Sequence, residues 1–108
     1  MDDFARNGYR IIAPDILNDD PVIDFNAPGF DIYAWIGKHA SETWIPSVDA
    51  VVEALKAEGV TRIGTTGYCF GAGPCWHLGL KNESHVTVLN HPTLLKTPQS
   101  FEVRFSGA

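Results

Sequence analysis

The first third of the chain alternates between helix-like and strand-like hydrophobic patterns. Residues 2–7 are typical of a helix end, and Asn7-Gly8 is a stop signal because glycine accepts the left-handed cap conformation. The apolar, β-branched run over 9–13 predicts a buried strand of the parallel-sheet type, which Pro14-Asp15 ends. A long irregular stretch, rich in turn-forming residues, then continues to about Pro28.

The rest of the chain repeats this alternation with clearer signals. Apolar side chains follow helical spacing over 30–44. The clearest helix is predicted over 47–58, with Ser47 as its cap, an apolar stripe along one side and Glu58-Gly59 at its end. Between residue 59 and Leu94 the pattern predicts a strand over 61–66, a tight turn over 67–71, a helix over 72–80 and a strand over 85–89. No element is predicted from Leu94 onward.

The order of these elements predicts the fold class. Helices and strands alternate along the chain, which favours an α/β fold of three layers, with about three mainly parallel strands flanked by helices. Ligands of such sheets bind beyond the carboxyl ends of the strands. Asp15, Cys69 and His91 fall at those ends and are therefore the first candidates for chemistry.

Length and charge narrow the class of protein. With 108 residues, 44% of them hydrophobic, the chain is expected to form one folded domain over 1–108. The net charge is −5, from 8 basic and 13 acidic side chains, which argues against nucleic-acid or anionic-membrane partners because both attract clustered Lys and Arg. The N-terminus has no signal-like pattern and no apolar stretch approaches the ~20 residues of a membrane helix, so a cytoplasmic location is expected.

The stretch Gly67-Tyr68-Cys69-Phe70-Gly71 carries the strongest chemical signal. A nucleophile on a sharp turn between a strand and a helix is pushed out over the sheet edge, and glycines two residues to either side are expected to relieve crowding. The helix N-terminus would favour the Cys69 thiolate, and the Phe70 N–H would supply half of an oxyanion hole. Cys75 falls inside the next helix, where core packing is expected and a disulfide with Cys69 is not.

Two segments resemble the dienelactone hydrolase family, a cysteine branch of the α/β-hydrolase fold. Gly8-Tyr9-Arg10-Ile11-Ile12-Ala13-Pro14-Asp15 is similar to the strand motif after the family's first helix. Gly67-Tyr68-Cys69-Phe70-Gly71-Ala72 is similar to its elbow, although Ala72 stands where the family usually has glycine. The resemblance implies a partial α/β-hydrolase fold, no cofactor, and hydrolysis of a small-molecule carboxylic ester or lactone. It assigns Cys69 as the nucleophile of a Cys-His-Asp triad.

The resemblance also implies that this chain is a truncated central fragment of a longer, otherwise monomeric domain. The family's triad Asp and His lie on loops after two further strands, and its second oxyanion donor and a Glu precede its first helix. One missing strand would separate the strand ending at Asp15 from the strand ending at Thr66. An isolated fragment is therefore expected to pair these strands directly, or to associate and aggregate. Two hypotheses stay open: an active cysteine hydrolase, and an inactive or binding-only remnant of that fold.

The histidines offer weaker candidates. His91 follows the strand next to the elbow, so it is either a catalytic partner of the nucleophile or an ordinary loop residue. His77 is expected to be a packing or surface residue, whereas His39 and His85 have no neighbours that support a role. Asp15 is expected to orient its loop by hydrogen bonding.

Other classes of site fit less well. Cys69, Cys75 and His77 do not have a zinc-ligand spacing, so no metal is expected. The glycines after the second strand do not complete a dinucleotide-binding fingerprint, and no P-loop lysine follows them. An aromatic group is expected either to pack in the core or to line a substrate pocket: Phe30, Tyr33, Trp35 and Trp44.

Overall fold

The computed structural model describes residues 1–95, and residues 96–108 lie outside that description. Its helices are α1 (Asp2–Arg6), α2 (Ile32–Lys38), α3 (Ser41–Ala57) and α4 (Ala72–Leu80). Its strands are β1 (Gly64–Tyr68) and β2 (Val86–Asn90), and a single 3-10 turn, Cys69–Gly71, joins β1 to α4. α4 has the bounds that the sequence predicts, and both strands begin later than predicted.

β1 and β2 form a parallel pair that is in register over their whole lengths, so that Tyr68 lies opposite Asn90. The pairing continues one step before the strands, because the His85 amide donates to the Ile63 carbonyl over 2.8 Å. The Ile63 amide in turn donates to His85 Nδ1 over 3.2 Å. His85 therefore has a structural partner, contrary to the sequence-based expectation, and it extends the sheet at its amino end.

The predicted strand over 9–13 is wrong, because this segment has no strand structure and does not pair with β1. A strand exists only where a neighbour completes its backbone ladder, and within residues 1–95 the sheet consists of β1 and β2 alone. The side chains of Tyr9 and Ile12 are consequently 65% and 43% exposed. The α/β class is confirmed by the mixed helices and the parallel pair, whereas the expected three strands are two in the described chain.

α3 begins at Ser41 rather than at Ser47, so Ser47 is not its cap. The helix passes through Pro46 near its amino end, and the region predicted as one helix over 30–44 is divided between α2 and α3 just before Ser41. Packing favours this longer helix, because the helix then carries large apolar side chains along one buried face. That buried face repeats every four residues, at Trp44, Val48 and Val52.

The hydrophobic core lies between α3 and α4, where Leu78 of α4 packs against the buried face of α3. α4 also covers one face of the sheet, on which Gly67 is buried. On the opposite face, the side chains of Val86 and Val88 are 63% and 50% exposed. Within residues 1–95, the sheet is therefore covered on one face. Four partly buried side chains pack around the core: Ile16, Ile45, Ile63 and Phe70.

A polar contact joins α3 to α4 beside the core. An Asp49 carboxylate oxygen lies 2.9 Å from His77 Nε2, and the other lies 3.1 Å from Lys81 Nζ. The hydrogen bond from His77, followed by the one from Lys81, lowers the pKa of the Asp49 carboxyl below its ordinary value. His77 also meets the Trp44 ring edge-on, with ring centroids 5.9 Å apart. His77 therefore has the packing role that the sequence suggests.

Replacing Asp49 with Asn tests this contact. Because the pKa of Asp49 is lowered in the folded state, the ionised carboxylate stabilises the folded protein at pH values above its ordinary pKa of 3.8. This stabilisation is lost as the pH falls below that value. We expect Asp49→Asn to lower the free energy of unfolding by about 0.5–1 kcal/mol near neutral pH, since the pair is partly screened by solvent. The difference from the wild type should vanish in acid. Urea unfolding followed by circular dichroism at a series of pH values measures it.

Glu53→Gln is the matched control, because Glu53 is an exposed partner of Lys56 at 3.6 Å within the same helix. We expect it to change the free energy of unfolding little at any pH. An equal loss for the two variants, or a loss in Asp49→Asn that persists unchanged in acid, would contradict the assignment.

Candidate active site

Cys69 lies on a sharp turn between β1 and α4. Tyr68 is extended, with φ −121°, whereas Cys69 has φ +52°, in the left-handed region that residues with a Cβ rarely adopt. Such a conformation costs of order 1–3 kcal/mol and persists only where the surroundings hold it. The turn leaves the Cys69 side chain exposed beyond the carboxyl end of β1. This is the geometry of a nucleophile elbow.

A close approach between Gly67 and the start of α4 holds the turn closed. A Cβ added to Gly67 would lie 2.7 Å from the Gly71 carbonyl carbon and 2.9 Å from Ala72 Cα, and closer still to the Gly71 carbonyl oxygen. No side chain fits there, so the turn requires glycine at this position. Ala72 is fully buried, at 0% exposure, so its small side chain is accommodated beside Gly67.

Gly71 does not have the crowding that the sequence predicts for it. A Cβ at Gly71 would meet nothing within 4 Å, and its φ of −67° suits any residue. Gly71 is uncrowded because it turns its carbonyl group toward Gly67, whereas a side chain on Gly71 would point into open space. Of the two elbow glycines, Gly67 is therefore the one whose missing side chain the turn requires.

The two cysteines have opposite surroundings, and both are free thiols. Cys69 is exposed at the start of the 3-10 turn that leads into α4, and the N-terminus of a helix attracts negative charge through its backbone N–H groups and its dipole. Cys75 is 8% exposed within α4. Burial raises the pKa of the Cys75 thiol, and a hydrogen bond with Thr65 offsets part of that effect. Cys75 is therefore a packing residue.

His91 lies at the same end of the sheet as Cys69. Tyr68 and Asn90 are opposite one another in the ladder, and Cys69 and His91 directly follow them. The loop after β2 closes on the elbow, since the Thr93 amide donates to the Cys69 carbonyl over 3.4 Å. The His91 ring packs against the Tyr68 ring, with centroids 6.1 Å apart. The ring contact that the structure gives His91 is therefore with Tyr68 rather than with the thiol.

Asp15 organises the loop that precedes α2. Its carboxylate accepts hydrogen bonds from the amides of Leu17 at 2.9 Å and Asp19 at 2.8 Å. These bonds, the one from Leu17 first, lower the pKa of the Asp15 carboxyl. The predicted role of Asp15 in orienting its loop by hydrogen bonding is confirmed.

The aromatic side chains over 30–44 lie in different surroundings. Trp44 is 8% exposed and belongs to the core, whereas Tyr33 is 82% exposed. Phe30 packs edge-on against another phenylalanine of its own loop. Trp35 packs against Phe70, with ring centroids 5.7 Å apart. Trp35 thus supports the residue whose N–H lies beside the exposed cysteine.

His39 is a buried residue whose partners the sequence did not reveal. Its Nδ1 lies 2.7 Å from the Trp35 carbonyl oxygen, and its Nε2 lies 3.2 Å from an Asp20 carboxylate oxygen. The ring also stacks on Trp35, with centroids 4.1 Å apart. The four-residue spacing of Trp35 and His39 on α2 was the available signal for that pair. The contact with Asp20 has no local signal, because it depends on how the preceding loop folds back.

The described residues provide an exposed thiol, backbone amides and aromatic side chains at this sheet edge. Among residues 1–95, no group of three His, Cys, Asp or Glu side chains is placed to hold a metal ion. No helix in the same part of the chain is both long and apolar enough to cross a bilayer.

The fold and the turn define an α/β protein with a nucleophile-elbow geometry. A family model described as "Dienelactone hydrolase family" matches residues 1–106. The chain belongs to the dienelactone hydrolase family. No solved structure matches the chain significantly.

Curated relatives are hydrolases by name. The chain is 32% identical over 94 residues to "Hydrolase pyvD" of Aspergillus violaceofuscus, in an alignment that covers 86% of this chain and 38% of the relative. It is 27% identical over 124 residues to "Dienlactone hydrolase 1" of Gibberella moniliformis, covering 91% and 46%. It is 38% identical over 80 residues to "Hydrolase tropI" of Talaromyces stipitatus, covering 65% and 31%. The chain thus spans less than half the length of each of these relatives.

Alanine at the two elbow glycines gives a matched pair of variants. Gly67→Ala forces a Cβ into the backbone of Gly71, so we expect it to lower the free energy of unfolding by about 1–3 kcal/mol. Gly71→Ala adds a methyl group to open space at an ordinary φ, so we expect no loss. A gain of about 0.4–1 kcal/mol is expected instead, because the unfolded chain becomes less flexible. Urea unfolding of both variants measures the two effects.

The difference between the variants is the informative quantity, because both add the same methyl group to the same turn. A Gly67→Ala protein as stable as the wild type would show that the close approach is absent. A loss in Gly71→Ala that equals the loss in Gly67→Ala would contradict the directional argument.

Proposed function

We propose that this chain supplies the nucleophile segment of a hydrolase that cleaves a carboxylic ester or lactone through Cys69. The observation that carries the proposal is the left-handed φ of +52° at Cys69, on a turn that leaves the thiol exposed between β1 and α4. Membership of the dienelactone hydrolase family supports hydrolase chemistry. Because the chain spans 38% of the length of the pyvD relative, the activity of the whole protein is itself part of the proposal.

The reaction starts with attack of the Cys69 thiolate on the carbonyl carbon of the ester. A C–S bond forms and the carbonyl π electrons move to oxygen, where the Phe70 N–H stabilises the oxyanion. Collapse of this intermediate breaks the C–O bond, and the alkoxide leaves with a proton while the acyl group stays on Cys69 as a thioester. Water then attacks the thioester, which releases the carboxylic acid and regenerates the thiol. With a lactone, the alkoxide remains attached to the acyl group.

The proton transfers need a base near the thiol. His91 is the candidate within this chain, because it follows the strand beside the elbow and shares its sheet edge. Its ring lies against Tyr68, so catalysis by His91 requires the ring to turn toward Cys69. The family resemblance implies an Asp and a His on loops after further strands, and those residues would complete the triad in a longer protein.

The proposal includes the fold of the longer domain to which this segment would belong. The two-stranded sheet is the central part of a three-layer α/β-hydrolase sheet, in which a further layer covers the face that exposes Val86 and Val88. The outer edges of β1 and β2 carry unpaired backbone groups in the described chain, and such edges favour association when no further strand covers them. The substrate is a small molecule that binds beyond the carboxyl end of β1, and no cofactor is needed.

The second candidate is an inactive, binding-only remnant of the same fold. It is favoured by one observation, the packing of His91 against Tyr68 instead of the thiol. The remnant retains the elbow and the exposed Cys69, but it does not hydrolyse an acyl group carried by Cys69. Because an exposed thiol reacts with an activated ester even without catalysis, repeated turnover of the ester separates the two candidates.

Trapping an acyl-enzyme is the direct test. After incubation with p-nitrophenyl acetate, intact mass and peptide mapping should find one acetyl group on Cys69, because the exposed thiol is accessible to the ester. Neutral hydroxylamine should remove it, since hydroxylamine cleaves thioesters. The release of p-nitrophenol should continue beyond one equivalent of the chain, and Cys69→Ser should lower its rate by at least about tenfold.

Cys75→Ser is the matched control and should retain the adduct, because Cys75 is buried. A mass spectrum without any acetyl group on Cys69 would rule out the nucleophile assignment, and release of p-nitrophenol that stops after one equivalent would leave the binding-only remnant.

A further inference from the structure

His39 lies at the end of α2 with both ring nitrogens facing oxygen atoms. The Trp35 carbonyl oxygen is 2.7 Å from Nδ1, and an Asp20 carboxylate oxygen is 3.2 Å from Nε2. The His39 side chain is 5% exposed, whereas that of Asp20 is 61% exposed. A buried imidazole therefore bridges α2 and the loop before it.

The chemistry of the two partners fixes where the hydrogen atoms lie. A carbonyl oxygen only accepts, so Nδ1 carries a hydrogen. An ionised carboxylate also only accepts, so an attractive contact with Asp20 needs a hydrogen on Nε2 as well. The two contacts are favourable together only in the imidazolium form of His39, whose charge Asp20 balances.

The same histidine reaches the elbow through Trp35. The imidazole stacks on the indole with ring centroids 4.1 Å apart and planes inclined by 26°. Trp35 Nε1 donates to the Asp20 backbone carbonyl over 3.2 Å, so the loop and α2 are joined at a second point. The indole also packs against the Phe70 ring, with ring centroids 5.7 Å apart. His39, Trp35 and Phe70 thus form a continuous chain of ring contacts.

We propose that His39 is a positioning residue for the elbow. With Asp20 it fastens the loop to α2, holds Trp35 against Phe70 and so fixes the backbone N–H beside Cys69. This inference rests on the proposed function, because the Phe70 N–H matters through the oxyanion that Cys69 chemistry creates.

The groups around the His39 ring define this positioning contact. In the described contacts, Asp20 is the charged group that faces the ring from the loop. α2 contributes an uncharged carbonyl and the indole, and the 3-10 turn contributes the uncharged Phe70 ring behind the indole.

Nuclear magnetic resonance of the ¹⁵N-labelled full chain tests this without any ester present. In the wild type, the Phe70 amide resonance gives the reference position of an elbow that Trp35 supports. In Asp20→Asn, this resonance should move, because the carboxylate contact with the ring is lost. In His39→Gln, it should move in the same direction and further, because the stacking on Trp35 is lost as well.

His77→Gln is the matched control, since His77 pairs with Asp49 on the other helices, and it should leave the Phe70 amide resonance unchanged. A Phe70 resonance that stays in place in His39→Gln, or that moves equally in His77→Gln, overturns the proposal. If His39→Gln does not fold, Asp20→Asn keeps the ring, and an unchanged Phe70 resonance in that variant overturns the proposal equally. A wild type that shows these Phe70 shifts in its variants but no acylation of Cys69 would contradict the proposed function instead.

Discussion

The close approach of Gly67 to the start of α4 is the constraint on which the candidate site depends. Because Gly67 has no Cβ, the Gly71 carbonyl and the fully buried Ala72 can lie against the strand backbone. The strand then becomes a helix within one 3-10 turn, and the left-handed φ of Cys69 is held in place. The exposure of the thiol is thus a consequence of backbone packing rather than of a side-chain partner.

Contacts from distant segments keep α4 and its turn in that position. Leu78 of α4 packs into the buried face of α3, and α4 in turn covers the sheet. Trp35 supports Phe70 from α2, and His39 supports Trp35. The loop after β2 closes on the carbonyl of Cys69. The elbow is therefore a local turn that tertiary contacts stabilise from several directions.

Local signals in the sequence were sufficient for the elbow and its helix, because glycine spacing and strand-to-helix order act over a few residues. The errors concern features that need distant partners. The segment 9–13 has the composition of a strand but no ladder neighbour in the described chain. α3 extends past the expected cap because burial of Trp44 favours the longer helix. The link from His39 to Asp20 crosses a loop, so no periodicity in the sequence reveals it.

The rate of iodoacetamide alkylation in single-cysteine variants tests most directly whether this chain folds into the elbow. Cys75→Ser reports on Cys69, and Cys69→Ser reports on Cys75, each in the folded protein and in urea. We expect folding to leave Cys69 as reactive as in urea or more so, and to slow the alkylation of buried Cys75 at least ~10-fold. Protection of Cys69 equal to that of Cys75 in the folded protein would contradict the account.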